Sequence, residues 1–223
     1  MNKKINFLIR SNLLSLSILL ILSACSYGPP KESGEFLKPD LVELTELDST
    51  FKLDIRYSTS NNFLGKAVYS QATAFLQRPA AEALVRVSKS LKRDGYGIIV
   101  FDGYRLWSVT KLFWDSATEE ERQAGFVADP AKGSRHNRGC AVDISLYDLK
   151  TGLEVKMPSG YDEFTERAFS NYIGGDKEAT RLRDLLITAM ESEGFTVLEQ
   201  EWWHFDYKDW PMYPILNVDF EDL

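Results

Sequence analysis

SRHNRGCAVDISL, residues 134–146, is where a turn becomes a strand. Side chains alternate along an extended segment, so Val142, Ile144 and Leu146 face one way and Ala141, Asp143 and Ser145 the other. Gly139 lets the chain turn between His136 and that strand. An imidazole just before the strand and a carboxylate on it, seven residues apart in sequence, can then face one point. Cys140 points away from Asp143 and reads as a small buried residue, although sulfur is also a soft ligand.

Working outward, GIIVF at residues 97–101 is a short continuous apolar run that suits a buried strand. DGYR follows it directly and puts Arg105 at the strand's end. An extended segment is predicted over residues 51–57, where Phe51, Leu53 and Ile55 alternate with Lys52, Asp54 and Arg56. Pro79 opens a helix in which Ala80, Leu84, Val87 and Leu91 keep helical spacing, and Gly95 stops it. A second helix runs from about Trp107 through Phe113. A last helix carries Leu182, Leu185, Leu186, Ala189 and Met190 on one stripe and ends at Gly194, before a final strand over residues 196–207. Helices mixed with strands, without regular βαβ alternation, predict an α+β fold. It is expected to be a single domain with a small, mainly antiparallel sheet packed against helices.

A chain of 223 residues with 44% hydrophobic and 26% charged residues has enough apolar content for one such core. Its net charge of −7 gives no electrostatic footprint for nucleic acid. The first residues read as a leader: Lys3, Lys4 and Arg10 precede an apolar run from Leu13 to Leu22, too short for a comfortable membrane span. LSAC at residues 22–25 then resembles the lipobox of bacterial lipoproteins. That resemblance implies a signal peptide over residues 1–24, lipidation of Cys25 with a membrane anchor through it, and a cell-envelope location. Residues 25–39 read as a tether and residues 40–223 as the functional domain. Cleavage would remove three basic and no acidic side chains, taking the charge to −10. With Cys25 lipidated, Cys140 has no disulfide partner. Nothing in the sequence predicts a protein partner.

The chain holds only two histidines, and the second lies in EWWHF, residues 201–205. His136, Asp143 and His204 would give a zinc ion two neutral ligands and one anionic ligand, with a fourth position left for water. The site would keep a net positive charge that acidifies that water. Each motif alone fits a surface or capping role; a site that needs two imidazoles has no other supply in the chain. Glu201 stands three residues before His204, a spacing that on a regular strand points the two to opposite faces. A bulge near Trp202 would bring the carboxylate back as a general base; otherwise it is a surface acid beside two packing tryptophans. Arg105, permanently charged and forked, suits a developing oxyanion, and a surface ion pair is its plainer use.

Taken together, SRHNRGCAVD, EWWHF and DGYR resemble the motifs of the D-alanyl-D-alanine dipeptidases, the VanX-like zinc peptidases. The similarity runs from DIRYSTSNNFLGK, at Asp54, to DYKDW, at Trp210. It implies one Zn²⁺ per chain at the sheet, held by His136, Asp143 and His204, with Glu201 as base and Arg105 stabilising the tetrahedral intermediate. It also implies that Tyr57, Ser134 and Asp162 bind the dipeptide, Asp162 meeting its ammonium group. The implied reaction is hydrolysis of D-Ala-D-Ala to two D-alanines in the cell envelope. The alternative with the same chemistry is a D,D-carboxypeptidase or other cell-wall peptidase acting on longer muropeptides. Cys140, where relatives carry a small residue, and Leu106, where they often carry proline, depart from the family pattern.

Overall fold

A computed structural model describes residues 28–223. The predicted leader and Cys25 lie outside the described residues. Five strands form the main sheet: β2 (Lys52–Leu53), β4 (Tyr96–Asp102), β5 (Ala141–Asp148), β6 (Phe195–Leu198) and β7 (Glu201–Tyr207), in the order β2-β4-β5-β7-β6. Only β2 runs parallel to its neighbour; every other pairing is antiparallel. A separate antiparallel pair, β1 (Leu41–Glu43) and β3 (Phe75–Gln77), brackets the one-turn α1 (Leu44–Leu47). The longer helices are α2 (Arg78–Arg93), α3 (Trp107–Ser116) and α5 (Lys177–Glu191), with the short α4 (Glu119–Ala124) following α3. The expected α+β domain with a mainly antiparallel sheet is the one observed.

The two faces of the sheet do different work. Val142, Ile144 and Leu146 of β5 and Ile98 and Val100 of β4 join the main core, together with Leu84, Val87 and Leu91 of α2 and Leu182, Leu186 and Met190 of α5. All eleven side chains are almost entirely withdrawn from water, which supplies most of the drive to fold. On the opposite face Ile99, Phe101 and Tyr147 form a smaller cluster with Tyr161. Asp143 shares this second face, as the alternation in β5 requires.

Two predicted boundaries shift. The expected final strand over residues 196–207 is a hairpin: β6 and β7 pair with each other around residues 199–200. The extended segment at residues 51–57 pairs only at Lys52–Leu53, because Arg56–Ser58 winds into a 3₁₀ turn. Residues 29–40 carry no helix or strand, yet they lie against the domain. The Glu32 carboxylate accepts from Arg138 Nη2 at 2.5 Å and from the Ile215 amide at 2.7 Å, and the Leu37 amide donates to the Met212 carbonyl at 2.8 Å. Among the described residues, no helix is long and apolar enough to cross a membrane.

Candidate active site

Strand register builds the site. Asp143 of β5 lies directly opposite His204 of β7 on one side and Asp102 of β4 on the other. A register irregularity between Val100 and Asp102 puts that aspartate in the row, turned to the face of Asp143 by the extra residue. The row is completed by His136, in the 3₁₀ turn His136–Arg138 just before β5. Asn137 locks this turn by accepting from the Ser134 amide at 2.8 Å and donating to the Arg105 carbonyl at 2.8 Å. Gly139 closes it at φ +66°, where a Cβ would lie 2.4 Å from Leu41 Cδ2. The positive φ is what calls for glycine here.

His136 Nε2, His204 Nδ1 and Asp143 Oδ1 converge. Their separations are 3.1 Å between the imidazoles, 3.3 Å from His136 to Asp143 and 3.0 Å from His204 to Asp143. Zn–ligand bonds of about 2.0–2.1 Å in a tetrahedron place ligand atoms about 3.3 Å apart, so these three atoms already stand near the spacing a zinc ion needs. The far nitrogens are also committed: His136 Nδ1 donates to the Gly103 carbonyl at 2.7 Å, and His204 Nε2 bonds Asp206 at 2.9 Å. Each ring is thereby left with a lone pair facing the common point. Asp143 Oδ2 accepts from the Tyr161 hydroxyl at 3.0 Å, which turns Oδ1 inward. The three residues are all buried and form the group among the described residues able to hold a metal ion. The donor set fits a divalent cation.

Electrostatics say the same. Burial would lower the His204 imidazole, but hydrogen bonds to Asp143 and Asp206 push it up to about 10. Burial would raise the Asp143 carboxyl, and the two histidines instead hold it well below the usual carboxylate range. The cluster draws positive charge to its centre, and a metal ion there would take the place of the proton.

Glu201 reaches this centre. Val197 of β6 pairs with Phe205, while the next residue, Leu198, pairs with Glu201, so three residues of β7 bulge out between them. That is the distortion needed to defeat strand alternation, and Glu201 Oε2 lies 3.9 Å from His204 Nδ1. Burial pushes the Glu201 carboxyl up to about 7; the pull of His204 opposes this and the charge of Asp143 adds to it. Arg105 is buried and held by Asp102 through Nη2 at 2.7 Å and Nε at 2.9 Å, with its guanidinium 4.9 Å from the Phe113 ring centre. Asp162 accepts from the Tyr57 hydroxyl at 3.1 Å. It occupies the left-handed region at φ +57°, and burial with the charges of Asp143 and Glu201 pushes its carboxyl up to about 8.

Tyr57, Arg105, Ser134, His136, Asp143, Asp162, Glu201 and His204 all line one cavity of about 160 Å³, walled by Phe63, Phe113, Phe126 and Phe164. Every site residue expected from the sequence is present in it except Cys25, which lies outside the described residues. Cys140 is fully buried away from the cluster, and burial pushes its thiol up to about 12. Sequence reading missed Asp102, Tyr161 and Asp206. Asp102 opens DGYR, three residues before Arg105, and Tyr161 directly precedes Asp162. Asp206 is two residues beyond His204, a spacing that shares a strand face.

A buried His-Asp-His cluster, an acid beside it and an arginine in one small pocket define a metal-dependent hydrolase site. The chain belongs to the D-Ala-D-Ala dipeptidase family of peptidases, whose family model matches residues 38–222. It is 30% identical over 181 residues to the D-alanyl-D-alanine dipeptidase of Escherichia coli, covering 81% of this chain and 91% of the relative. The enzyme of that name from Enterococcus faecalis is 34% identical over 196 residues, covering 79% and 95%. A Synechocystis relative of the same name is 36% identical over 217 residues, covering 81% and 85%.

Proposed function

We propose that this chain is a zinc-dependent dipeptidase that hydrolyses D-alanyl-D-alanine to two D-alanines. The observation that carries the reading is the convergence of His136, Asp143 and His204, their facing atoms 3.0–3.3 Å apart, with Glu201 in the same cavity of about 160 Å³. Those three side chains would hold one Zn²⁺ per chain, which would supply Lewis acidity and lower the pKa of a bound water. Glu201 takes the proton of the attacking water and delivers it to the departing amine; a burial-raised carboxyl is suited to both transfers near neutral pH. Arg105, locked on Asp102, donates to the oxygen on which negative charge develops. Asp162, braced by Tyr57, receives the ammonium group of the dipeptide, and Ser134 contacts the peptide from the turn that carries His136.

The size of the cavity supports a short substrate. Pockets for drug-sized ligands occupy about 300–1,000 Å³, and the four phenylalanines leave much less. The decisive assay compares D-Ala-D-Ala with a pentapeptide ending in D-Ala-D-Ala, before and after chelation and zinc restoration. Dipeptide hydrolysis that disappears with zinc and returns with it is the expected result. Turnover that survives verified zinc removal overturns the zinc reading, and preference for the pentapeptide makes the protein a carboxypeptidase.

The leader reading belongs to the same proposal: residues 1–24 are a signal peptide, Cys25 is lipidated, residues 25–39 form the tether, and the domain over residues 40–223 works outside the cytoplasm. Its support is the charged, apolar and small-residue pattern ending at a cysteine. Mass spectrometry of the mature N-terminus tests it; a chain beginning with unmodified residues upstream of Cys25 overturns it.

A further inference from the structure

We propose that Asp206 is a positioning residue for the metal centre: it fixes the His204 ring from the side facing away from the cluster and so sets how tightly the chain holds zinc. The inference rests on the zinc reading above. Residues two apart on a strand share a face, and the register puts Asp206 opposite Ala141, next to the Asp143–His204 pair. Asp206 Oδ1 lies 2.9 Å from His204 Nε2. The other ring nitrogen, Nδ1, faces Asp143 Oδ1 at 3.0 Å and His136 Nε2 at 3.1 Å. The imidazole therefore stands between Asp206 and the cluster. Asp206 does not line the cavity, so it neither joins the ligand set nor meets substrate.

Its own surroundings keep it in that role. Arg135 Nε lies 3.5 Å from Asp206 Oδ2, and the Arg135 guanidinium sits 4.8 Å from the Trp210 ring centre. Arg135 offsets the carboxylate charge, so Asp206 contributes direction and ring basicity more than a long-range field. The carboxylate accepts the Nε2 hydrogen, which commits Nδ1 to a lone pair pointing at the cluster. Without that acceptor the imidazole is free to carry its hydrogen on Nδ1 and direct it at Asp143, the arrangement least suited to a cation. The two histidines differ in this respect. His136 is held by the backbone carbonyl of Gly103 at 2.7 Å, whereas His204 depends on a side chain that substitution can remove.

The test is a zinc dissociation constant, measured on the full chain by competition with a chromophoric chelator for the parent, Asp206→Ala and Asp206→Asn. Loss of such a partner weakens metal binding by about 10- to 100-fold, the shift expected for alanine. Asparagine keeps an oxygen acceptor for Nε2 and recovers part of it. The KM for the dipeptide at saturating zinc stays within about twofold of the parent, since the residue is remote from substrate. An alanine protein that holds zinc within about twofold of the parent overturns the proposal. Should that variant fail to fold, Asp206→Leu, of similar size and without an acceptor, decides: a loss of about fivefold or more supports the role, and parent-like affinity overturns it. A parent chain that binds no zinc overturns the zinc reading itself, an outcome distinct from equal affinity in parent and variants.

Discussion

Asp48, beside α2, and the pair Glu201 and Asp162, in the cavity, are carboxylates withdrawn from water in contrasting company. Asp48 accepts from the Lys92 ammonium at 2.8 Å, the Ser88 hydroxyl at 2.9 Å, and the Thr50 amide and hydroxyl at 3.0 and 2.6 Å. Burial would raise its carboxyl, but those donors outweigh burial and hold it well below the usual carboxylate range. Glu201 and Asp162 are pushed the other way, to about 7 and about 8, by burial and by the charge of Asp143. Of the two arginines that line the cavity, Arg105 is paired with Asp102 and Arg135 with Asp206. One region holds an anion its own protein has neutralised. The other collects anions in excess of its fixed cations, and that surplus is what a metal ion and a substrate ammonium would satisfy.

The strongest way to break this contrast is at Glu201. Glu201→Gln keeps the shape of the side chain and removes the proton acceptor. Turnover should fall by about 10²–10⁴-fold, the usual worth of a general base, while zinc content and melting temperature stay those of the parent. A variant within about tenfold of parental turnover would exclude Glu201 from the proton transfers. Next comes Asp162→Asn, which tests whether the second surplus anion serves the substrate. Asparagine tolerates the left-handed backbone found at this position, so the fold should persist. Hydrogen bonds to charged groups contribute about 1.5–3 kcal/mol, which puts the rise in KM near 10- to 100-fold. An N-acetylated dipeptide, lacking the ammonium, should be indifferent to the change; equal sensitivity in both substrates would remove Asp162 from that role.

Glu32 belongs with Asp48 and not with the cavity. Its carboxylate ties Arg138 of the metal-binding turn to the amide of Ile215, and the Arg138 and Glu32 side chains are only 10% and 20% exposed. Glu32→Ala should cost about 1–3 kcal/mol by leaving the guanidinium short of a partner. In a domain of this size that lowers the melting temperature by roughly 2–10 °C. Zinc-saturated turnover should change little. A collapse of turnover with an unchanged melting temperature would move Glu32 into the functional class. The family match begins only at residue 38, so Glu32 reaches Arg138 and Ile215 from outside the part of the chain the family defines.

What could be read in advance follows the same division. His136, Asp143 and His204 could be singled out because zinc draws on few residue types and this chain has two imidazoles to offer, and Glu201 and Arg105 because EWWHF and DGYR resemble family motifs. The pairing of Asp143 with His204 was not, since it depends on which strands meet and in what register. The bulge that rescues Glu201 could be posed only as one of two options, because nothing in EWWHF marks it. The hairpin between β6 and β7 escaped because Glu199 and Gln200, at its tip, lack the Gly, Asn or Pro signals that usually flag a two-residue turn. Asp102, Tyr161 and Asp206 act through partners whose orientation only the folded chain defines.

The gentlest probe of the contrast is pH acting on Asp48. Its folded-state value lies below the unfolded value of about 3.9, so its contribution to stability is present above that pH and is lost as pH falls toward the folded value. Asp48→Asn should therefore cost about 1 kcal/mol near neutrality, a modest figure because the Lys92 ammonium it pairs with is 29% exposed and partly screened. Below about pH 4 the parent should lose stability faster than the variant and the gap should narrow. Urea unfolding of both proteins at neutral and acid pH measures this directly. A gap that stays constant through the acid range would mean that Asp48 contributes packing and neutral hydrogen bonds, and its contrast with the cavity would then lie in geometry alone.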